Sequence, residues 1–234
     1  MPELSEKTRE ALLTVPTSNL TGALLKRGLR NMFLQDVSPL RVDQPRLLGF
    51  AFTMRFIPAR EDKGRSNIQP RAMEECPPGH VLVIDSRGDA RAASAGDLYI
   101  GRLKARGCAG IVTDGGFRDS EGILKTGLPV YQRRPTSPPS PIVHLPIDLN
   151  LPIACGGVGV FPGDVVVGDV DGVVVIPAEL VDEVAAEAAA ATLYDTFAEE
   201  EVARGRPLTG LFPVADETAK RDFAAWKMTR GIAD

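Results

Sequence analysis

The chain has 234 residues, 44% of them hydrophobic and 25% charged, enough to bury a sizeable core and too apolar for a disordered segment. A net charge of -4, with Lys and Arg scattered along the chain, excludes a nucleic-acid groove built on a basic stripe and points to a small metabolite or a protein as partner. Cys76, Cys108 and Cys155 are odd in number and far apart, so neither a disulfide framework nor a zinc spacing is available. No apolar run approaches the roughly 20 residues of a membrane span, and Met1-Pro2-Glu3-Leu4-Ser5-Glu6 lacks the features of a signal peptide. The expectation is a cytoplasmic chain without a membrane partner.

Residues 5–28 predict an amphipathic helix pair, with Ser5 capping the first helix, Thr17 to Asn19 as the turn, and Leu20, Leu24 and Leu25 as an apolar stripe ending at Gly28. Residues 47–57 are rich in strand formers and Pro58 ends them. The turn Pro77-Pro78-Gly79 precedes Val81 to Asp85, a short apolar run suited to a strand covered on both faces. Residues 97–106 predict a helix ending at Gly107, and Ala109 to Thr113 a second buried strand, which together make a βαβ unit. Ligands in such units sit beyond the carboxyl ends of the strands, here at loops 85–97 and 114–121.

Five prolines between residues 133 and 146 predict an extended connection. The stretch 158–176, with turn signals at Pro162-Gly163-Asp164 and Asp171-Gly172, predicts an antiparallel hairpin. An Ala- and Glu-rich segment from Ala178 to about Arg204 predicts a long helix. The fold class is α/β with a central mixed sheet. One domain over 1–234 is expected, with a helical segment over about 1–30 and an arm over about 205–234.

The chemistry concentrates in Gly96-Asp97-Leu98 and Asp114-Gly115-Gly116-Phe117-Arg118-Asp119. A helix starting at Asp97 presents free N–H groups and a positive dipole end to the same end of the sheet as the 114–119 loop, which makes an anion site. Arg118 offers a planar fork for a carboxylate, and Asp119 an oxygen ligand for a hard cation such as Mg²⁺ or Mn²⁺, with Asp97 placed to act through metal-held water. From spacing alone, aspartates beside glycines also serve as turn formers and caps. Elsewhere, His80 and His144 stand in no triad or metal spacing, and Cys155 reads as a buried thiol. Asp169-Val170-Asp171-Gly172 reads as a hairpin turn, and Gly156-Gly157-Val158-Gly159 as a bend, because no lysine or helix follows it. Lys104 and Lys125 read as solvated surface, and Arg60-Glu61-Asp62 as a charge run that either is solvated or lines the site mouth.

Gly96-Asp97, twenty residues, then Arg118-Asp119 resembles the G-D-x20-R-D signature of the class II pyruvate aldolases of the 4-hydroxy-4-methyl-2-oxoglutarate aldolase type, a superfamily that includes the regulator of ribonuclease E activity A. Ala59 to Asp62, Pro78 to Asp85, Ile153 to Gly157 and Pro162 to Asp169 extend the resemblance across roughly residues 10–213. It implies a β/β/α swivelling-domain-like fold, homotrimers or homohexamers, and a lyase that cleaves a 4-hydroxy-2-oxo-acid to pyruvate and a carbonyl compound or decarboxylates oxaloacetate. By the same resemblance Asp119 is the direct ligand of Mg²⁺ or Mn²⁺, Asp97 holds metal waters, Arg118 binds substrate and steadies the enolate, and Gly96, Leu98 and Tyr99 line the place of the pyruvyl carboxylate. A carboxylate from a neighbouring subunit, Glu199, Glu200 or Glu201, completes the site. Rival expectations are a non-catalytic regulator that binds a ribonuclease and a sugar-acid dehydratase on the same scaffold.

Overall fold

The computed structural model describes residues 3–64, 66–214 and 216–232, so the outermost residues of the expected N-terminal segment and C-terminal arm lie outside the described residues. The first helix, α1 (Glu6–Thr14), is capped as expected: Ser5 Oγ accepts from Thr8 N at 3.1 Å. The helix break then falls at Val15-Pro16 and not at Thr17 to Asn19, because α2 (Thr17–Lys26) begins at Thr17 itself. Its cap comes from far along the chain, with Asp169 accepting from Thr17 N at 2.8 Å and from Thr17 Oγ1 at 2.9 Å. Leu20 and Leu24 are buried, whereas Leu25 is turned outward and 51% exposed.

The strands and helices that follow are β1 (Ser38–Pro39), β2 (Leu47–Pro58), α3 (Ile68–Glu75), β3 (His80–Asp85), β4 (Ala93–Ala95), α4 (Asp97–Ala105), β5 (Gly110–Thr113), β6 (Gly116–Phe117), α5 (Ser120–Thr126) and β7 (Val130–Gln132). After a 3₁₀ turn at Ser140–Ile142 come β8 (His144–Leu149), β9 (Ile153–Cys155), β10 (Val158–Val160), β11 (Val165–Gly168), β12 (Val173–Ile176), α6 (Val181–Ala203) and α7 (Glu217–Thr229). The main sheet runs β1-β7-β5-β3-β2-β11-β12, with β8 added along the second half of β2. Its centre is parallel (β2 with β3, β3 with β5, β5 with β7), and β11, β12 and β8 join it antiparallel, so the α/β expectation of a mixed sheet holds.

Successive residues of β3 serve opposite faces, as strand geometry requires. Leu82 and Ile84 pack with Ile100, Leu103 and Ile123 of α4 and α5, while Val81 and Val83 pack with Val160, Val166 and Val175. The other face of the β11–β12 hairpin carries Val165, Val167, Val174 and Ile176 under α1, α2 and α6. Two expectations change here. The proline-rich connection stops at Val143, because β8 begins at His144 and pairs with β2; Pro146 sits opposite Phe56 next to the point where the register slips, the kind of irregularity at which a strand accommodates proline. The stretch 158–176 splits between two hairpins, for Val158–Val160 turns back on β9 through Gly156 and Gly157, both with positive φ (54° and 75°), while β11 and β12 form the expected one.

The expected C-terminal arm carries a helix, α7, after a run of turns. Phe223 and Trp226 of α7 join Leu193, Tyr194 and Phe197 of α6 and Leu211 in a separate aromatic cluster. Among the described residues no helix is long and apolar enough to cross a membrane.

Candidate active site

Two very short strands decide the geometry. β4 and β6 lie parallel, with Ala93 opposite Gly116 and Ala95 opposite Phe117, and Arg118 N donates to Ala95 O at 3.1 Å. The chain leaves both strands in the same direction, so Gly96-Asp97 and Arg118-Asp119 emerge side by side although twenty residues separate them. Gly96 is the N-cap of α4 and Asp119 the N-cap of α5, so each half of the motif opens a helix. Asp119 takes a left-handed backbone (φ 63°), a conformation that Asp tolerates better than most residues. Its Oδ2 lies 3.2 Å from Arg118 Nε, and both side chains are nearly half exposed.

This pair rests on Gly96. A Cβ there would stand 2.6 Å from Asp119 Oδ2 and 3.1 Å from Arg118 Nε, so only glycine leaves room for both groups. The Asp97 carboxylate uses a second cradle: a Cβ on Gly122 would stand 2.3 Å from Asp97 Oδ2. Asp97 Oδ1 accepts from Leu98 N at 2.8 Å, so that amide is engaged by Asp97 itself.

These residues line a cleft of about 630 Å³ together with Tyr99, Arg60, Lys63, Ser66, Gln69, the Pro139–Pro141 segment and His144 to Pro146. Gly96, Asp97, Leu98, Tyr99, Arg118 and Asp119 thus all meet in one place. Arg60 is there too, its fork on Asp62 at 2.9 and 2.8 Å. The sequence reading missed Lys63, Ser66, Gln69 and the proline segment, which belong to loops and a helix whose pattern carried no chemical signal. His144 lies in the cleft wall but is 2% exposed, with Nε2 at 3.2 Å from Ala92 O and its ring stacked on Phe56. Burial lowers its pKa, which keeps the ring neutral and structural.

A hard cation that keeps most of its waters needs only one or two protein carboxylates. Asp119, half exposed beside a glycine cradle, and Asp97 next to it fit such a donor set. Among the described residues no group of three or more His, Cys, Asp and Glu side chains gathers into a fuller cage.

Glu199, Glu200 and Glu201 do not line the cleft of their own chain. Glu200 accepts from Trp226 Nε1 at 3.0 Å and pairs with Arg230 at 2.8 Å, and Glu201 pairs with Arg204 at 2.7 Å and Arg206 at 3.2 Å. Glu199 is exposed and, among the described residues, has no ion pair. Lys104 and Lys125 are exposed and off the cleft. Cys155 is fully buried, and burial pushes its thiol well above the ordinary range, so it is no poised nucleophile.

Two buried carboxylates lie at the ends of the central strands. Asp114 accepts from Ser86 N at 2.7 Å and Gly88 N at 2.9 Å, and Asp85 from Arg87 N at 2.8 Å. Burial raises both above the ordinary 3.8, whereas the Arg91 guanidinium holds Asp89 down at about 2. As pH falls toward 3.8, Asp85 and Asp114 therefore take up protons in the folded protein before the unfolded chain does, which adds stability; the Asp89 contribution is present above 3.8 and is lost as pH falls toward about 2. A carbon-13 carboxyl titration is expected to show Asp89 at about 2 and Asp114 above 3.8, and the reverse order would contradict this arrangement.

Residues 17–175 match the RraA-like family, described as Aldolase/RraA. A provisionally named 4-hydroxy-4-methyl-2-oxoglutarate aldolase of Halalkalibacterium halodurans is 38% identical over 164 residues, 70% of this chain and 73% of that protein. The protein DlpA of Legionella pneumophila is 27% identical over 99% of this chain, which spans only 35% of its length. Among solved structures, Streptomyces coelicolor RraAS2, described as an unusual member of the RNase ES inhibitor RraA protein family, superposes with a TM-score of 0.74 at 30% identity, covering 88% of this chain and all of that one. With its β/β/α swivelling-domain-like fold and a family match over most of its length, this chain belongs to the RraA-like family.

Proposed function

We propose that the cleft is the active site of a divalent-metal-dependent lyase, which cleaves a 4-hydroxy-2-oxo-acid to pyruvate and a carbonyl compound and decarboxylates oxaloacetate through the same enolate. The observation that carries this reading is the parallel pairing of β4 with β6, which brings Gly96-Asp97 and Arg118-Asp119 out side by side into one cleft, with Arg118 and Asp119 against Gly96 and Asp97 against Gly122. Asp119 would hold Mg²⁺ or Mn²⁺ directly and Asp97 through water, and the chemistry such an ion supplies when bound is Lewis-acid polarisation of the keto oxygen. Arg118, nearly half exposed in the cleft, would donate to the same oxygen and offset its negative charge as the carbon–carbon bond breaks. The N-terminus of α4 would orient the substrate carboxylate through its dipole and the Tyr99 end of its first turn, since the Leu98 amide is already held by Asp97. The proline-rich segment Pro139–Pro141 lines one side of the cleft, its fixed φ angles leaving that wall little freedom.

A second copy of the chain would complete the site in a homotrimer or homohexamer. Glu199 is the suited donor, because Glu200 and Glu201 are already held by arginines of their own chain. Three buried free thiols suit a reducing cytoplasm.

The test is a panel of 4-hydroxy-2-oxo-acids and oxaloacetate incubated with the protein and Mg²⁺ or Mn²⁺, with pyruvate read out enzymatically. Release that a chelator abolishes is the expected result; none from any compound would overturn the proposal. The likeness to RraAS2 favours one rival, a regulator that binds a ribonuclease without turnover. Capture of a purified ribonuclease by a protein that binds no Mn²⁺ would support that rival.

A further inference from the structure

Beneath the cleft lies a group of side chains that none of these roles uses. Ser86, Ser94 and Thr113 are each completely buried. Their hydroxyls close a triangle: Ser86 Oγ to Ser94 Oγ is 2.7 Å, Ser86 Oγ to Thr113 Oγ1 is 2.9 Å, and Ser94 Oγ to Thr113 Oγ1 is 3.0 Å. Each hydroxyl donates once and accepts once around such a ring, and Thr113 Oγ1 also accepts from Gly115 N at 3.0 Å. The three are therefore fully satisfied without water.

Their placement in the chain gives the triangle its meaning. Ser94 is the middle residue of β4, and strand alternation turns it away from the cleft that Ala93 and Ala95 line. Two residues later comes Gly96. Thr113 ends β5, and through the Gly115 amide it holds the start of the segment that leads to Arg118-Asp119. Ser86 follows β3, and its own backbone N–H is fixed by the buried Asp114. The packing is tight, since a Cβ on Gly115 would meet Ser86 Cβ at 2.7 Å and Ser94 Oγ at 2.8 Å.

Each short strand is held to its partner by few ladder bonds, too few to fix a separation alone. We infer that the Ser86–Ser94–Thr113 triangle is the positioning device of the site, setting the distance between Gly96-Asp97 and Arg118-Asp119 from below. This rests on the lyase reading for its purpose, but its geometry is testable without turnover. The three are positioning residues, since Ser94 and Thr113 act through the backbone that carries the cleft groups.

The experiment compares wild type with Thr113→Val, which keeps the shape and removes the hydroxyl, Ser94→Ala, and Thr113→Ser, which keeps the hydroxyl. Amide hydrogen exchange is followed in residues 93–98 and 115–119, with the β11–β12 hairpin as internal reference, and Mn²⁺ affinity is measured by calorimetry. Thr113→Val and Ser94→Ala are expected to speed exchange in both segments, leave the hairpin unchanged, and weaken Mn²⁺ binding about 10- to 100-fold, the range typical of residues that support a metal ligand. Thr113→Ser is expected to restore wild-type exchange. Unchanged exchange in Thr113→Val, equal effects of Thr113→Val and Thr113→Ser, or faster exchange with undiminished Mn²⁺ affinity would overturn the inference. If exchange responds as expected while wild type itself neither binds Mn²⁺ nor releases pyruvate, the positioning role stands and the lyase proposal falls.

Discussion

Replacing Asp119 with asparagine is expected to lower pyruvate release at least about 10³-fold. Stabilisation of an enolate by a bound cation amounts to several kcal/mol, and about 1.4 kcal/mol corresponds to tenfold in rate. Asparagine is the informative substitution because Asp119 has a left-handed backbone (φ 63°), which asparagine tolerates and alanine does not. Alanine would add about 1–2 kcal/mol of backbone strain to the loss of the carboxylate, confusing the two effects. Asp119 is half exposed and its ion pair to Arg118 is solvated, so the melting temperature is expected to stay close to wild type. An Asp119→Asn protein with wild-type turnover would remove Asp119 from the chemistry.

The second large effect comes from adding one methyl group. Gly96 has an extended backbone (φ -128°) open to any residue, so Gly96→Ala introduces no backbone strain. Its Cβ does collide with Asp119 Oδ2, at 2.6 Å, and crowds Arg118 Nε, at 3.1 Å. Asp119 Oδ2 is the end of its side chain and the Arg118 side chain is long and nearly half exposed, so both can give way, the fold survives and the site shifts. A displacement of about 1 Å at a reacting group costs on the order of 10²-fold in rate, and kcat/KM is expected to fall by that amount. Gly101, on the same helix, is the control: a Cβ there meets nothing within 4 Å, and Gly101→Ala is expected to raise helix stability by up to about 1 kcal/mol without touching activity. Equal losses in the two variants would mean that helix disturbance, not the crowded pair, is responsible.

Much of this was legible in the sequence because it rests on local signals. The Ser5 cap, the strand ended by Pro58, the βαβ unit from His80 to Thr113 and the long helix α6 each follow from patterns within a dozen or two residues. The misplacements came from contacts made at a distance. The start of α2 depends on Asp169, about 150 residues away, and β8 forms through its proline because β2 offers a ladder with a slipped register.

The candidate site divides in the same way. The motif residues and Arg60 could be named from spacing and resemblance, whereas Lys63, Ser66 and Gln69 reach the cleft only through the packing of α3 and the loop before it. The reason for the twenty-residue spacing was hidden as well: it is the length of chain that runs from β4 through α4 and β5 to the parallel strand β6. Nor did the sequence distinguish Glu199 from Glu200 and Glu201, because that difference lies in arginines contributed by the C-terminal turn and α7.

The central claim is that this cleft stabilises a pyruvate enolate with a divalent cation, whatever carbonyl compound the full substrate carries. Exchange of the methyl protons of pyruvate with deuterium oxide, followed by proton NMR, reads that enolate without the rest of the substrate. Wild type with Mg²⁺ or Mn²⁺ is expected to accelerate exchange well above the protein-free rate, and both a chelator and Asp119→Asn to return it to that rate. Exchange no faster than the protein-free control in the metal-loaded wild type would contradict the account.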